Sequence, residues 1–374
     1  MRSATILALG TALIAAAAVA APRPGASNSA APADPTLETP GWKAPRNAAG
    51  QPDLSGFWSS ATMTPTTRNL QIGREASLPA EKVKVMEARF AAALAQRDET
   101  KDPNHLPGSA EDKAKDAKLF AVRPDFEFAG GDVGGYNIFW LDPGNHILEV
   151  NGQFRTSIVT TPDGQIPPRK DGKSAARFNY NLDEGATSYL GSFDSYESRP
   201  EGERCITFAR NAPPPMLPNG YYNNNYQILQ TRDAAVIVAE GIHDARIVRL
   251  NAPHRTDGLR PRLGDSIGHY EANTLVVETT NLPQPDNFYG AWKDLKVTEW
   301  FTRVSPTRVK YRFQIEDPGV WAKPWGGEYE FFPLHGIVYE YACHEGNYAL
   351  PAILAGARRQ EKEAQAGKAK SGGD

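Results

Sequence analysis

Cysteine is almost missing from the chain: Cys205 and Cys343 are the only two in 374 residues. That excludes a disulfide-dense scaffold and a four-cysteine zinc site. Histidine is sparse as well, seven residues with no ligand spacing. In "CHEG", Cys343, His344 and Glu345 are neighbours whose side chains alternate in direction along a strand, so no metal site is expected. Charge of one sign is not in excess. A net charge of −3 gives no electrostatic case for nucleic acid or an anionic membrane as partner. The chain has no glycine-rich phosphate loop, no Gly-x-Ser-x-Gly elbow and no His-Glu-x-x-His pair. Any catalysis is therefore expected to rest on side chains alone, without a cofactor.

Long apolar runs are missing too, apart from the start. "MRSATILALGTALIAAAAVAAPRPG" sets one Arg before an alanine-rich run and places Ala18-Val19-Ala20 as a small-residue cleavage site. This reads as a secretory signal peptide over residues 1–20, and no lipid-anchoring cysteine follows it. The expected product is periplasmic or secreted, with no membrane attachment after cleavage. In such a compartment two lone cysteines are most simply one disulfide, Cys205–Cys343. Residues 21–50 are rich in Pro, Ala and Ser and read as a disordered leader. A single β domain is expected over 51–357, and 358–374 reads as a polar tail.

What is present is alternation. "VKYRFQIED" puts Val309, Tyr311, Phe313 and Ile315 on one face and Lys310, Arg312, Gln314 and Glu316 on the other. "LKVTEWFTRV", "YQILQT", "AVIVAE", "ARIVRL", "DSIGHY" and "NTLVVETT" follow the same period, and "YNIFWL", "HILEV" and "FRTSIVTT" read as further strands. One helix stands out in "SLPAEKVKVMEARFAAALAQRDE", with Ser77 as N-cap and Val85, Phe90 and Leu94 as an apolar stripe. The fold class is mainly β: sequential hairpins closing as an antiparallel up-and-down barrel, with a few peripheral helices.

Polar residues crowd certain strand ends. Pairing "VIVAE" with "DARIVRL" across a three-residue turn, Gly241-Ile242-His243, sets Glu240 opposite Asp244 and Val238 opposite Arg246. Glu240, Asp244 and Arg246 then share the face of Val236, Val238, Val248 and Leu250, with His243 above them. A desolvated carboxylate beside a His and an Arg is an arrangement that tunes a base toward neutrality. A cross-strand salt bridge capped by a turn histidine is the purely structural alternative. Glu299 lies on the apolar face of Leu295, Val297 and Phe301, so burial there requires a partner such as Arg246 or a ligand. "GYYNNNYQI" offers Tyr221, Tyr222, Asn223, Asn224 and Asn225 either as loop tethers or as the lining of a site for a flat ligand.

The opening Gly56-Phe57-Trp58 resembles that of lipocalin-type barrels. More widely, "PDLSGFW", "FRTSIVTTPDGQIP", "YNNNYQILQT", "AEGIHDARIVRL", "LGDSIGHYEANTLVVETTN", "KVTEWFTRV" and "YEYACHEGNYAL" resemble a family of exported bacterial proteins of mostly unassigned activity. The resemblance runs from about Pro52 to Leu354. It implies a lipocalin-like barrel, and some members are similar to lyases that release formaldehyde from lignin-derived aromatic dimers such as phenylcoumarans. The partner would then be a small aromatic molecule, with His243 or Glu240 as base, Arg246 as charge stabiliser and the Tyr-Asn run as positioning donors. A non-catalytic carrier of an apolar ligand is the alternative use of such a barrel. Sugar hydrolysis by Glu240 and Glu299 is a third.

Overall fold

The computed structural model describes residues 42–69, 72–98, 141–172, 193–199, 201–207, 212–218, 222–283 and 288–371. The proposed signal peptide, most of the leader, nearly all of "YNIFWL" and Tyr221 lie outside them. Nine strands close a barrel in the order β1, β12, β11, β10, β9, β8, β7, β6, β5 and back to β1. They are β1 (Gly56–Ser59), β5 (Asn225–Gln230), β6 (Ala234–Ala239), β7 (Ala245–Leu250), β8 (Asp265–Glu271), β9 (Thr274–Thr280), β10 (Lys296–Ser305), β11 (Arg308–Glu316) and β12 (Trp325–Pro333). A separate sheet holds β2 (Ser77–Leu78), β4 (Gln153–Arg155) and β3 (Glu149–Val150), in that order. It lies against β12, where Arg155 pairs with Glu328 at 3.3 Å. Much of "FRTSIVTT" is therefore irregular rather than strand.

One contact departs from the up-and-down expectation. β7 and β8 run parallel, Val248 beside Ser266 and Leu250 beside Gly268. Residues 251–264 return the chain along the wall instead of turning tightly, as a parallel pair requires. Asp265 pins that return, accepting from the Arg255 amide at 2.7 Å and lying 2.9 Å from His254 Nδ1.

Alternation fixes which side chains fill the barrel. Val309, Tyr311, Phe313 and Ile315 are buried, as are Val297, Glu299 and Phe301 across from them. Trp58 is core as well, its indole N–H donating to the Leu54 carbonyl at 3.0 Å. With about nine strands the interior has room for one packed layer of side chains or one small ligand. Among the described residues no helix is long and apolar enough to cross a membrane.

The helix α1 spans Ala80–Asp98. Ser77 is not its N-cap, because Ser77 pairs with Arg155 in the small sheet. Its buried stripe is Val83 and Phe90, with Met86 and Leu94 packed beside them, whereas Val85 is exposed. Residues 42–53 fold back onto the barrel: Arg46 donates to the Asn273 side chain at 2.7 Å and Gln51 to the Arg232 carbonyl at 3.0 Å. The second helix, α2 (Ala349–Ser371), includes most of the polar tail.

Candidate functional site

The β6–β7 hairpin is slipped by one residue from the expected register. Val238 faces Ala245 and Ile237 faces Arg246. The turn is Glu240–His243, closed by the Ala239 amide on the Asp244 carbonyl at 2.8 Å. Because side chains alternate with period two, one residue of slip turns a strand over. Ala235, Ile237 and Ala239 face the interior, not Val236 and Val238. The turn is built on left-handed backbone at Ile242 (φ 57°) and His243 (φ 49°). Such a conformation is unusual for a β-branched residue.

The slip separates Glu240 from Arg246. Arg246 stays on the interior face with Val248 and Leu250 and meets Glu299 in a fork, Nη1–Oε2 at 2.6 Å and Nη2–Oε1 at 2.9 Å. Both side chains are fully buried. Tyr311 Oη donates to Glu299 Oε1 at 2.8 Å and accepts the Met216 amide at 3.0 Å. Glu299 thus has the partner its place on an apolar face demands, and it is not a free carboxylate for sugar hydrolysis. Burial raises the phenols of Tyr226, Tyr311 and Tyr329 well above their usual range, so all three are neutral donors.

Glu240 instead belongs to a second cluster on the shoulder of the barrel. Asn225 lies on the outward face of β5, and its side-chain amide donates to Glu240 Oε2 at 2.8 Å. The Glu240 amide returns a bond to the Asn225 carbonyl at 2.9 Å. Asn223 also hydrogen-bonds the Glu240 carboxylate, and the Tyr339 amide reaches Oε1 at 3.3 Å. Asn224 is fully buried: its side chain donates to the Asp142 carbonyl at 2.8 Å, and its own carbonyl accepts the Ser60 amide. The asparagine run therefore acts as a tether: it ties segment 141–148 to the barrel and supplies donors to the buried Glu240 carboxylate.

Asp142 is the residue that sequence reasoning missed. It sits close enough to Glu240 for the two negative charges to repel. Desolvation first, and that repulsion second, push its pKa up to about 6. Glu240 is raised as well, by desolvation, although its donors oppose the shift. Asp142 Oδ2 and Asn225 Oδ1 are shut off from solvent without a hydrogen-bond partner among the described residues. Buried polar atoms without partners are uncommon, and each calls for an explanation such as strain, a catalytic role, a water or an ion. Nearby, His146 stacks edge-on against Phe332 at 4.3 Å. Burial, then the charge of Arg308, lowers its pKa to about 4.

The remaining expected site residues are dispersed. His243 is exposed at the tip of the turn, which leaves it outside both buried clusters. Asp244 accepts from Thr207 Oγ1 at 3.0 Å and so tethers the segment that carries Cys205. Tyr222 is half-buried. Cys205 and Cys343 form a disulfide, which holds segment 334–348, and Tyr339 with it, beside the Glu240 turn. Among the described residues no group of three or more histidines, cysteines and carboxylates could hold a metal ion.

Two neighbouring carboxylates, both raised by desolvation and Asp142 raised further by the charge of Glu240, suit proton transfer, since the pair can hold one proton between them. Compared with known proteins, the chain matches no family model, no curated protein and no solved structure.

Proposed function

We propose that the chain is an exported carbon–carbon lyase for a small lignin-derived aromatic, with Glu240 and Asp142 as its acid–base pair. The observation that carries this reading is the shoulder cluster: a desolvated carboxylate pair, held by Asn223 and Asn225, with Asp142 Oδ2 unpartnered. The sequence resemblance supplies the substrate class, a phenylcoumaran-type dimer with a free hydroxymethyl group.

The reaction balances with proton transfers alone. The base takes the alcohol proton, the alkoxide electrons form the carbonyl of formaldehyde, and the carbon–carbon bond to the ring breaks. Its electron pair becomes the stilbene double bond as the furan carbon–oxygen bond opens to phenolate. The acid then protonates that phenolate. A positioned general base contributes about 10²- to 10⁴-fold to such a step. Arg246 is not the charge stabiliser in this scheme, because Glu299 already engages it through both terminal nitrogens.

The test is to incubate mature protein with a panel of phenylcoumaran-type dimers and follow formaldehyde and stilbene absorbance together. Formaldehyde and stilbene in equal amounts support the lyase. The apolar, aromatic barrel interior favours a second reading, a non-catalytic carrier. A ligand-induced rise in melting temperature with no formaldehyde would select it.

A further inference from the structure

Segment 212–218 reaches the barrel interior in an unusual way. Ala212, Met216 and Leu217 are buried in the same core as Tyr226, Tyr311, Tyr329 and Phe331. Four of its residues, Pro213, Pro214, Pro215 and Pro218, lack an N–H, so it cannot join the wall as a strand. Its backbone is held instead by two interior phenols. Tyr311 Oη accepts the Met216 amide at 3.0 Å, and Tyr329 Oη donates to the Met216 carbonyl at 3.2 Å. Tyr311 spends its own proton on Glu299, so it presents an acceptor to whatever lies where Met216 is. Beside this cluster Arg246 Nε is buried with no hydrogen-bond partner among the described residues.

A buried ion pair is costly to desolvate, and replacing one by well-packed apolar residues is often neutral or stabilising. The Arg246–Glu299 pair orients Tyr311, and Tyr311 with Tyr329 makes a donor-and-acceptor reader in an apolar chamber. We propose that Met216 is a resident plug in that reader, displaced by a flat apolar ligand carrying a hydrogen-bond donor beside an acceptor. An ortho-methoxyphenol ring has this pattern: its hydroxyl donates to Tyr311 Oη and its ether oxygen accepts from Tyr329 Oη. The plug competes with the ligand, so affinity is set by how readily 212–218 withdraws. The inference stands apart from the acid–base reading, since it concerns the interior and not the shoulder.

The experiment uses 2-methoxyphenol as probe, with methoxybenzene, which lacks the donor, as control. Titrations follow tryptophan fluorescence of the wild type and of Met216→Gly. That substitution keeps both phenols and the backbone groups that hold them but removes the buried side chain that anchors the segment, and so eases its withdrawal. The variant is expected to bind 2-methoxyphenol at least tenfold more tightly, and methoxybenzene at least tenfold more weakly than 2-methoxyphenol. Because Met216→Gly alters the core, hydrogen exchange of the wild type gives a second measurement. The Met216 amide should lose protection when the probe is added, while amides of β10 and β11 keep theirs. Equal affinity in both proteins, no saturable binding by either, or a Met216 amide whose protection the probe leaves unchanged overturns the proposal.

Discussion

Arg246 and Glu299, 53 positions apart, meet as a two-bonded ion pair inside an otherwise apolar and aromatic barrel. Removing one partner strands the other charge away from water. Arg246→Met alone should cost about 3–5 kcal/mol. Combining Arg246→Met with Glu299→Leu and Tyr311→Phe should recover part of that loss, since both charges are then gone and the remaining cost is the Met216 amide, which loses Tyr311 Oη as its acceptor. Urea denaturation of the single and combined variants measures the non-additivity.

Asp142 and His146 predict opposite pH signatures from one short segment. Asp142 is raised in the folded state to about 6, so folding favours its protonated form. Ionisation then removes stability as pH climbs from the unfolded carboxylate value toward 6. Asp142→Asn should therefore gain stability relative to wild type as pH rises through that window. His146 is depressed to about 4, so the folded state resists a proton that the unfolded chain accepts near 6.5. Stability is lost as pH falls from 6.5 toward 4, and His146→Gln should gain on wild type in that direction. Thermal melts at half-unit pH steps separate the two, with Arg308 and Glu240 as the charges facing them.

The disulfide closes a loop of 138 positions. Its loss should lower stability by about 2–5 kcal/mol. It should also act on the shoulder, because Cys343 lies on the segment that brings the Tyr339 amide to Glu240. Losing that donor leaves desolvation less opposed, so the Glu240 pKa should rise further in Cys343→Ser. Carboxylate chemical shifts followed against pH report it.

His243 separates a catalytic from a conformational reading of the turn. Its left-handed backbone is one that glycine adopts freely. His243→Gly should leave stability unchanged or raise it by up to about 1 kcal/mol, and turnover should persist. A collapse of turnover with the fold intact would return His243 to the site.

Much of the barrel was legible because its strands alternate cleanly. The inward face Val309, Tyr311, Phe313 and Ile315, and the need of Glu299 for a partner, follow from period two alone. The β6 face was not legible. Val236 and Val238 look more like core than Ala235 and Ala239, yet Ala239 sits across from Tyr226 and Ile237 across from Arg246. Large side chains on the neighbouring strands leave room for alanine, which is a tertiary fact. The parallel β7–β8 pair was hidden for a like reason, since 251–264 carries no periodicity to show its direction. Asp142 lies in an irregular stretch 82 positions before Asn224, and the tertiary fold is what joins them. The asparagine run and Glu240 were visible as polar crowding, but their shared outward face depended on a register set by the left-handed turn.

The most direct measurement of the central claim is the pH dependence of kcat/KM for formaldehyde release from a phenylcoumaran-type dimer, in wild type, Glu240→Gln and Asp142→Asn. A wild-type limb is expected near pH 6, set by Asp142. Glu240→Gln should lose about 10²-fold or more with the fold intact. Asp142→Asn should abolish or displace the limb. Turnover within twofold of wild type in both variants, with the limb unmoved, would contradict the account.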